Sequence, residues 1–330
     1  MFRLMKRPAF WSEGKGGWQS TSLIPIAWAY QWCHRKRYAT SGSSRANIPV
    51  ICIGNVIVGG SGKTPVALDV ARILAEKKKA IHFLSRGYGG SCPREPVRVD
   101  PSQHSARYVG DEPLILARHA ITWVSPDRVA AAESAISNGA EVIIMDDGFQ
   151  NPRLMKDLSI LVFDGEYGIG NGALLPAGPM REPLADAISR AQAAVIVGRD
   201  SYDLATTLSE TIPVFAAQFI PSCNKHDTER PVIAFSGIGS PEKFFSSIKA
   251  AGYNVCAKYA FPDHHPYSAS ELRFLHNESR KLGAKLMTTE KDFVRLGSSA
   301  QEGIEPFLIT LLWSDETAFS DFLGHQLEAG

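Results

Sequence analysis

A chain of 330 residues, 44% hydrophobic and with a net charge of +1, is long enough for two α/β units and apolar enough to bury a core. A charge so near neutrality gives no electrostatic footprint for nucleic acid, so no such partner is expected. The 5 cysteines (Cys33, Cys52, Cys92, Cys223, Cys256) lack any C-x-x-C pair, which argues against a zinc site or disulfide framework and suits a reducing compartment.

The first distinctive stretch is residues 22–33, SLIPIAWAYQWC, followed by His34-Arg35-Lys36-Arg37. It falls short of the ~20 apolar residues that a spanning helix needs. A signal peptide is not expected either, because the basic cluster follows the apolar run and no small-residue cleavage site succeeds it. Two readings stand side by side. Residues 22–37 could lie in a membrane interface with their cations on anionic headgroups. Equally, they could form an ordinary docked helix whose basic end complements the dipole.

Residues 50–53, VICI, read as a short strand buried on both faces. Ile57-Val58-Gly59-Gly60-Ser61-Gly62-Lys63-Thr64 follows, and a helical pattern opens at Pro65. Strand, glycine-rich turn and helix start are the setting of a phosphate loop. The glycines let backbone N–H groups approach phosphate, and the helix N-terminus adds a favourable dipole. Lys63 would reach the β/γ-phosphates of a nucleoside triphosphate, and the Thr64 hydroxyl would ligate Mg²⁺. The general pattern has glycine where this chain has Ile57, so Gly59 and Gly60 must supply the bend.

Val66, Val70, Ile73 and Leu74 keep helical spacing up to Lys77-Lys78-Lys79. Residues 80–84 form a second strand and run into Ser85-Arg86-Gly87-Tyr88-Gly89-Gly90, a ligand loop or a plain connector. Asp111 and Glu112 open another helical stretch and, taken alone, read as caps complementing its dipole. The apolar strand 141–145 ends in Asp146-Asp147, the Walker-B arrangement that holds Mg²⁺. Neighbouring strand residues face opposite ways, so one of the two aspartates should face the metal directly.

Further strands are expected at 159–163 and 193–197, separated by a long Gly/Pro-rich loop over 170–183. Arg181 in that loop is a candidate for pairing with phosphate or simply a solvated surface residue. Residues 212–221 look like a junction. Beyond them a smaller unit alternates strands (232–235, 255–261, 285–288, 307–313) with helices (241–251, 268–282 and one near the C-terminus). His264 and His265 lie just past a strand, where α/β proteins place ligand groups. Two histidines with no third ligand more often make hydrogen bonds than a metal site. The expected division is an N-terminal segment 1–48, a phosphate-loop unit 49–215 and a smaller α/β unit 216–330.

VGGSGKTP, SRGYGG, VGDEP, DDGFQ, GNGALLPAGPMREP, FPDHHPY and TTEKD, in that order, resemble the tetraacyldisaccharide 4′-kinase (lipid A 4′-kinase) family over essentially the whole chain. The family's loop also lacks the first glycine. The resemblance implies a P-loop NTPase-like parallel sheet, a smaller Rossmann-like domain and an N-terminal membrane-associated helix. It implies transfer of the γ-phosphate of ATP, with Mg²⁺, to the 4′-hydroxyl of a tetraacyldisaccharide 1-phosphate. The location implied is peripheral, on the cytoplasmic face of the bacterial inner membrane, with residues 22–37 on the anionic surface. It also implies that Asp111 is the catalytic base supported by His264, and that Glu112, Asp146 and Asp147 serve Mg²⁺. Gln150 and Arg181 would lie by the substrate.

Two other classes compete. A regulatory P-loop ATPase or GTPase would act through a partner, and Asn224-Lys225-His226-Asp227 fits the letters of a base-specificity motif. That stretch is polar rather than placed after an apolar strand, which counts against it. A non-enzymatic membrane adaptor would need neither Asp111 nor His264.

Overall fold

The computed structural model describes residues 8–12, 16–92, 94–222 and 230–328. In chain order its strands are β1 (Val50–Gly54), β2 (Ile81–Ser85), β3 (Val97–Arg98), β4 (Ile121–Val124), β5 (Val142–Asp146), β6 (Leu158–Asp164), β7 (Ala193–Val197) and β8 (Val214–Pro221). There follow β9 (Val232–Ser236), β10 (Val255–Ala260), β11 (Lys285–Thr289), β12 (Ile304–Phe307) and β13 (Ile309–Trp313). They form a nine-stranded sheet in the order β13-β8-β7-β6-β1-β5-β2-β4-β3 and a four-stranded sheet in the order β10-β9-β11-β12. The large sheet is parallel except at its edges, where β3 and β13 pair antiparallel.

Strand β1 explains why the large sheet is two-sided. Val50 and Cys52 point into one core, with the helices Arg128–Ser137, Leu184–Ile188 and Leu204–Ser209. Ile51 and Ile53 point into the other, with the helices Lys63–Glu76 and Glu316–Glu328. A continuous apolar run is what a strand covered on both faces requires. All five β1 residues are buried, and burying each Val or Ile side chain stabilises by about 1.5–3 kcal/mol. At the strand's end Gly54 admits Phe149, whose Cβ would lie 2.4 Å from any Cβ placed there. The smaller sheet repeats the plan. Pro241–Ala250 covers one face and Ala269–Leu282 the other.

Two elements differ from the sequence-based expectation. Residues 214–221, read as a junction, are β8 of the large sheet. The single strand expected at 307–313 is two strands in different sheets. β12 joins the small sheet, the chain passes at Leu308, and β13 pairs antiparallel with β8, Ile309 opposite Pro221 and Trp313 opposite Ala217. Trp313 then stacks on Phe319 at 3.9 Å between ring centroids, tying the C-terminal helix to the large sheet. The second sheet is therefore built from residues 232–307 alone, and 309–328 belong with the first. Residues 224–227, the base-specificity look-alike, lie outside the described residues.

The N-terminal helix, Gly17–Thr40, is longer than the apolar run and carries Pro25 in its first half. It docks on the large unit through Ser20 Oγ to the Ala177 carbonyl (2.8 Å), Tyr38 OH to the Phe149 carbonyl (2.7 Å) and Arg35 to Asp186 (2.9 Å). Its other side leaves Trp18 79%, Trp28 68% and Trp32 63% exposed. Among the described residues no helix is long and apolar enough to cross a membrane.

Candidate active site

The phosphate loop leaves β1 and enters the helix Lys63–Glu76 through Gly62, whose φ of +86° is one that L side chains rarely adopt. Asn55 Nδ2 donates to Ser61 Oγ (3.1 Å), bracing the loop from within. Ile57 is fully buried and bridges Met180. The residue at the expected glycine position is thus a packing residue joining the phosphate loop to the 170–183 loop. The flanking bonds, Val58 N–H to the Pro179 carbonyl (2.9 Å) and Arg181 N–H to the Val56 carbonyl (2.7 Å), complete that seam.

The seam brings Arg181 inward. Its Nη1 lies 3.3 Å from Asp147 Oδ1 and donates to Gln150 Oε1 at 3.1 Å. Gln150 Nε2 in turn donates to the Asn55 carbonyl (2.7 Å) and to Glu182 Oε1 (3.1 Å). Of the two sequence readings of Arg181, the solvated surface residue is excluded. Lys63 Nζ is 3.7 Å from the same Asp147 oxygen. Burial by itself would raise the Asp147 carboxyl, but Lys63, Arg181 and Arg128 hold it below the usual range.

Asp146 ends β5 beside β1, Ile53 opposite Asp146. Its Oδ2 accepts from Thr64 Oγ1 at 2.8 Å, while its buried Oδ1 has no partner. Burial, with the Glu112 carboxylate beside it, pushes the Asp146 carboxyl up to about 7. An orphaned oxygen in a set of hard oxygen donors fits Mg²⁺. Among the described residues no group of three or more acidic, His or Cys side chains converges as a complete metal cage. That also suits Mg²⁺, which usually takes one or two carboxylates and completes its shell with phosphates and water.

The helix Asp111–Leu116, with Asp111 and Glu112 in its first turn, packs in the large unit against the helix Lys63–Glu76 that the phosphate loop opens. His264 Nδ1 lies 3.4 Å from Asp111 Oδ2, so the structure brings the two together although they are far apart in sequence. Between them stands a residue the sequence reading missed. Arg295 donates from Nε to Asp111 Oδ2 (3.1 Å), and its Nη2 also approaches that oxygen (2.5 Å) and His264 Nδ1 (3.2 Å). Its Nη1 donates to the Gly237 carbonyl (2.7 Å) and Asp292 Oδ1 (2.8 Å). His264 Nδ1 can accept from Arg295 or donate to Asp111, not both. Burial would raise the Asp111 carboxyl, but His264, Arg295 and Lys291 hold it far below the carboxylate range. The hydrogen bond with Asp111 raises the His264 pKa in turn.

Lys291 was also missed; its Nζ pairs with Glu112 Oε1 at 2.7 Å. Both cations come from the short helix Glu290–Arg295, started by Thr289, whose hydroxyl accepts the Asp292 N–H (3.1 Å). The TTEKD run was the available signal, since a Thr three residues before an Asp is a helix-start pattern. A third missed cation is Arg128, 3% exposed and lowered to about 10 by burial and by Arg86. Its Nε has no partner among the described residues. His265, by contrast, binds Glu271 (3.0 Å), a member of the capping box that starts the neighbouring helix, as the hydrogen-bonding reading expected.

The family model described as tetraacyldisaccharide-1-P 4′-kinase (LpxK) matches residues 19–328. The chain belongs to this kinase family. Curated tetraacyldisaccharide 4′-kinases are similar over nearly their full length. That of Rhodospirillum centenum is 44% identical, covering 94% of each chain. That of Parvibaculum lavamentivorans is 46% identical, covering 88% of this chain and 87% of the relative. Among solved structures, the "apo" form of LpxK from Aquifex aeolicus in complex with ATP matches with a TM-score of 0.75 and 28% identity. That match covers 93% of this chain and 99% of the other. Membership of the tetraacyldisaccharide 4′-kinase family favours a kinase over the regulatory switch.

Proposed function

We propose that this chain transfers the γ-phosphoryl group of ATP to the 4′-hydroxyl of a tetraacylated glucosamine disaccharide 1-phosphate at an anionic membrane surface. The observation that carries the reading is the meeting of a phosphate-binding end (Lys63, Thr64, Asp146) with a carboxylate–histidine pair from opposite units (Asp111, His264). A switch that works by partner binding has no use for the second.

The loop amides from Ile57 to Gly62, with Lys63, hold the triphosphate. Thr64 and Asp146, with Asp147 and Glu112 beside them, would hold Mg²⁺. That ion, when bound, neutralises charge on the β- and γ-phosphates. Gln150 and Arg181 orient the acceptor sugar. Asp111 takes the proton of the 4′-hydroxyl as its oxygen bonds to the γ-phosphorus and the bond to the β-phosphate oxygen breaks, releasing ADP. A carboxylate held so low is a weak base. It suffices because phosphoryl transfer runs through a loose transition state that asks mainly for positioning and charge stabilisation. His264 and Arg295 keep Asp111 aimed, so closure of the small unit on the large one assembles the site.

The lipid acceptor places the reaction at the cytoplasmic face of the inner membrane, where ATP is available. The exposed tryptophans of Gly17–Thr40 and the cluster His34 to Arg37 suit a peripheral interfacial helix. The test is incubation with ATP, Mg²⁺ and detergent-dispersed tetraacyldisaccharide 1-phosphate, with a new 4′-phosphate read by mass and ³¹P resonance. Lys63→Ala should abolish product while thermal melting stays unchanged. Product formation by Lys63→Ala at the wild-type rate would overturn the phosphate-loop assignment.

A further inference from the structure

Where the end of the N-terminal helix meets the large unit there is a cavity of about 300 Å³ lined by Tyr38, Ser41, Ser43, Lys156, Ser159 and Arg190. Its two cations differ in how they are balanced. Arg190 is paired with Glu182, itself 2% exposed, and lies over the rings of Tyr38 and Phe149 at 4.5 and 4.6 Å. Lys156 donates to the Asn151 carbonyl and has no carboxylate partner among the described residues. Burial and the neighbouring Arg190 and Arg128 push its pKa down. A half-buried ammonium beside a second cation, in a cavity edged with hydroxyls, offers more positive charge and more donors than the protein itself uses. A doubly charged anion with several acceptor oxygens meets that surplus better than a neutral sugar or a single carboxylate.

The cavity's place in the fold names the anion. A hydrogen-bonded series runs from Arg181 to Gln150, from Gln150 to Glu182 and from Glu182 to Arg190. It begins beside Asp147 and Lys63, where the transferred phosphoryl group would sit, and ends at the cavity. One wall of the cavity is the end of the helix whose tryptophans face outward. An acceptor reaching from the phosphoryl end along this series toward the membrane helix would bring its far end to Lys156.

We propose that this cavity binds a phosphate monoester, the anomeric 1-phosphate of the disaccharide acceptor, with Lys156 and Arg190 as its cations. The assignment rests on the kinase reading above and extends it to the opposite end of the acceptor. Initial rates against two matched acceptors, with and without the anomeric phosphate, test it. The wild-type chain should show a lower KM for the phosphorylated acceptor. Lys156→Met should raise that KM about tenfold or more, leaving kcat, the KM of the dephosphorylated acceptor and the KM of ATP unchanged. Lys156→Arg should recover most of the loss. Inorganic phosphate should compete with the phosphorylated acceptor and not with the other, separating site occupancy by the free ion from occupancy by the lipid's own phosphate.

Equal wild-type KM values for the two acceptors would overturn the subsite and leave the kinase reading standing, and so would equal losses on both in Lys156→Met. Turnover of neither acceptor by the wild-type chain would overturn the kinase reading and the subsite with it. If Lys156→Met fails to fold, the milder Lys156→Gln carries the same expectation, a KM rise confined to the phosphorylated acceptor, and an unchanged KM in it would overturn the subsite.

Discussion

Asp147 and His264 share a backbone feature that neither motif announces. Both sit at positive φ, 55° and 57°, in the left-handed region that non-glycine residues seldom occupy. Such conformations persist where the surroundings over-determine them, and they gather at functional positions. Here the fixing bonds are Asp147 N–H to the Ile53 carbonyl and His264 N–H to the Gly237 carbonyl, both 3.0 Å. For the Asp111 pair the expected outcome is specific. Asp111→Asn should lower kcat by ~10²–10⁴-fold with ATP affinity nearly unchanged. Adding His264→Ala should cost scarcely more, because the two act on one proton. Rates and nucleotide binding for both singles and the double decide it. Multiplicative losses would show independent roles. Sequence order made Asp111, His264 and the phosphate-loop residues nameable through the motifs that contain them. Arg295 stayed hidden because its worth lies in spanning Asp111 on one unit and Gly237 on the other, a contact between residues 184 apart in the case of Asp111.

At the scale of single elements, the helix Gly17–Thr40 is docked as one of the two sequence readings expected, and its exposed tryptophans are what the other, the interfacial reading, requires. Ser20, Ala27 and Tyr38 dock it, while Trp18, Trp28 and Trp32 face away from the protein. Periodicity could not separate these because the helix has apolar side chains all round, the docked side being fixed by hydrogen bonds to loop carbonyls. The double variant Trp28→Ser, Trp32→Ser should float less with anionic vesicles in low salt and melt at an unchanged temperature. Unaltered flotation would remove this face from membrane attachment. The helix Ala269–Leu282 illustrates a different legibility. Its capping box of Ser268 and Glu271 stands in the sequence, and its expected boundaries hold. Bonds from Ser268 and His265 draw the Glu271 carboxyl down to about 2 from an ordinary 4.5. A depressed carboxyl adds stability that is complete above its unfolded pKa and disappears as pH falls through the folded one. The melting-temperature gap between wild type and Glu271→Ala should therefore be full at pH 7, narrow below about pH 4.5 and close toward pH 2.

For the whole molecule, the alternation of strands and helices made the α/β class and both parallel sheets legible, because strands buried on two faces must read as unbroken apolar runs. What local pattern cannot carry is which sheet a strand joins. Residues 306–313 are apolar but for Thr310, and only the pairing of Ile309 with Pro221 reveals that the chain has changed sheets at Leu308. The same pairing sets the two crossings between units side by side, so residues 222–308 are in effect inserted into the large unit. Deleting residues 309–328 should leave Phe215, Ala217 and the helix Lys63–Glu76 without the cover of Trp313, Phe319 and Leu323. The truncated chain should aggregate on expression, whereas a soluble truncation product with wild-type melting would refute this account of the core. A growing chain meets the same arrangement in time. While the ribosome is still adding the small unit, the nucleotide-binding sheet has every strand but its outermost one. Its apolar flank waits, in need of shelter, until residues 309–328 return to close it.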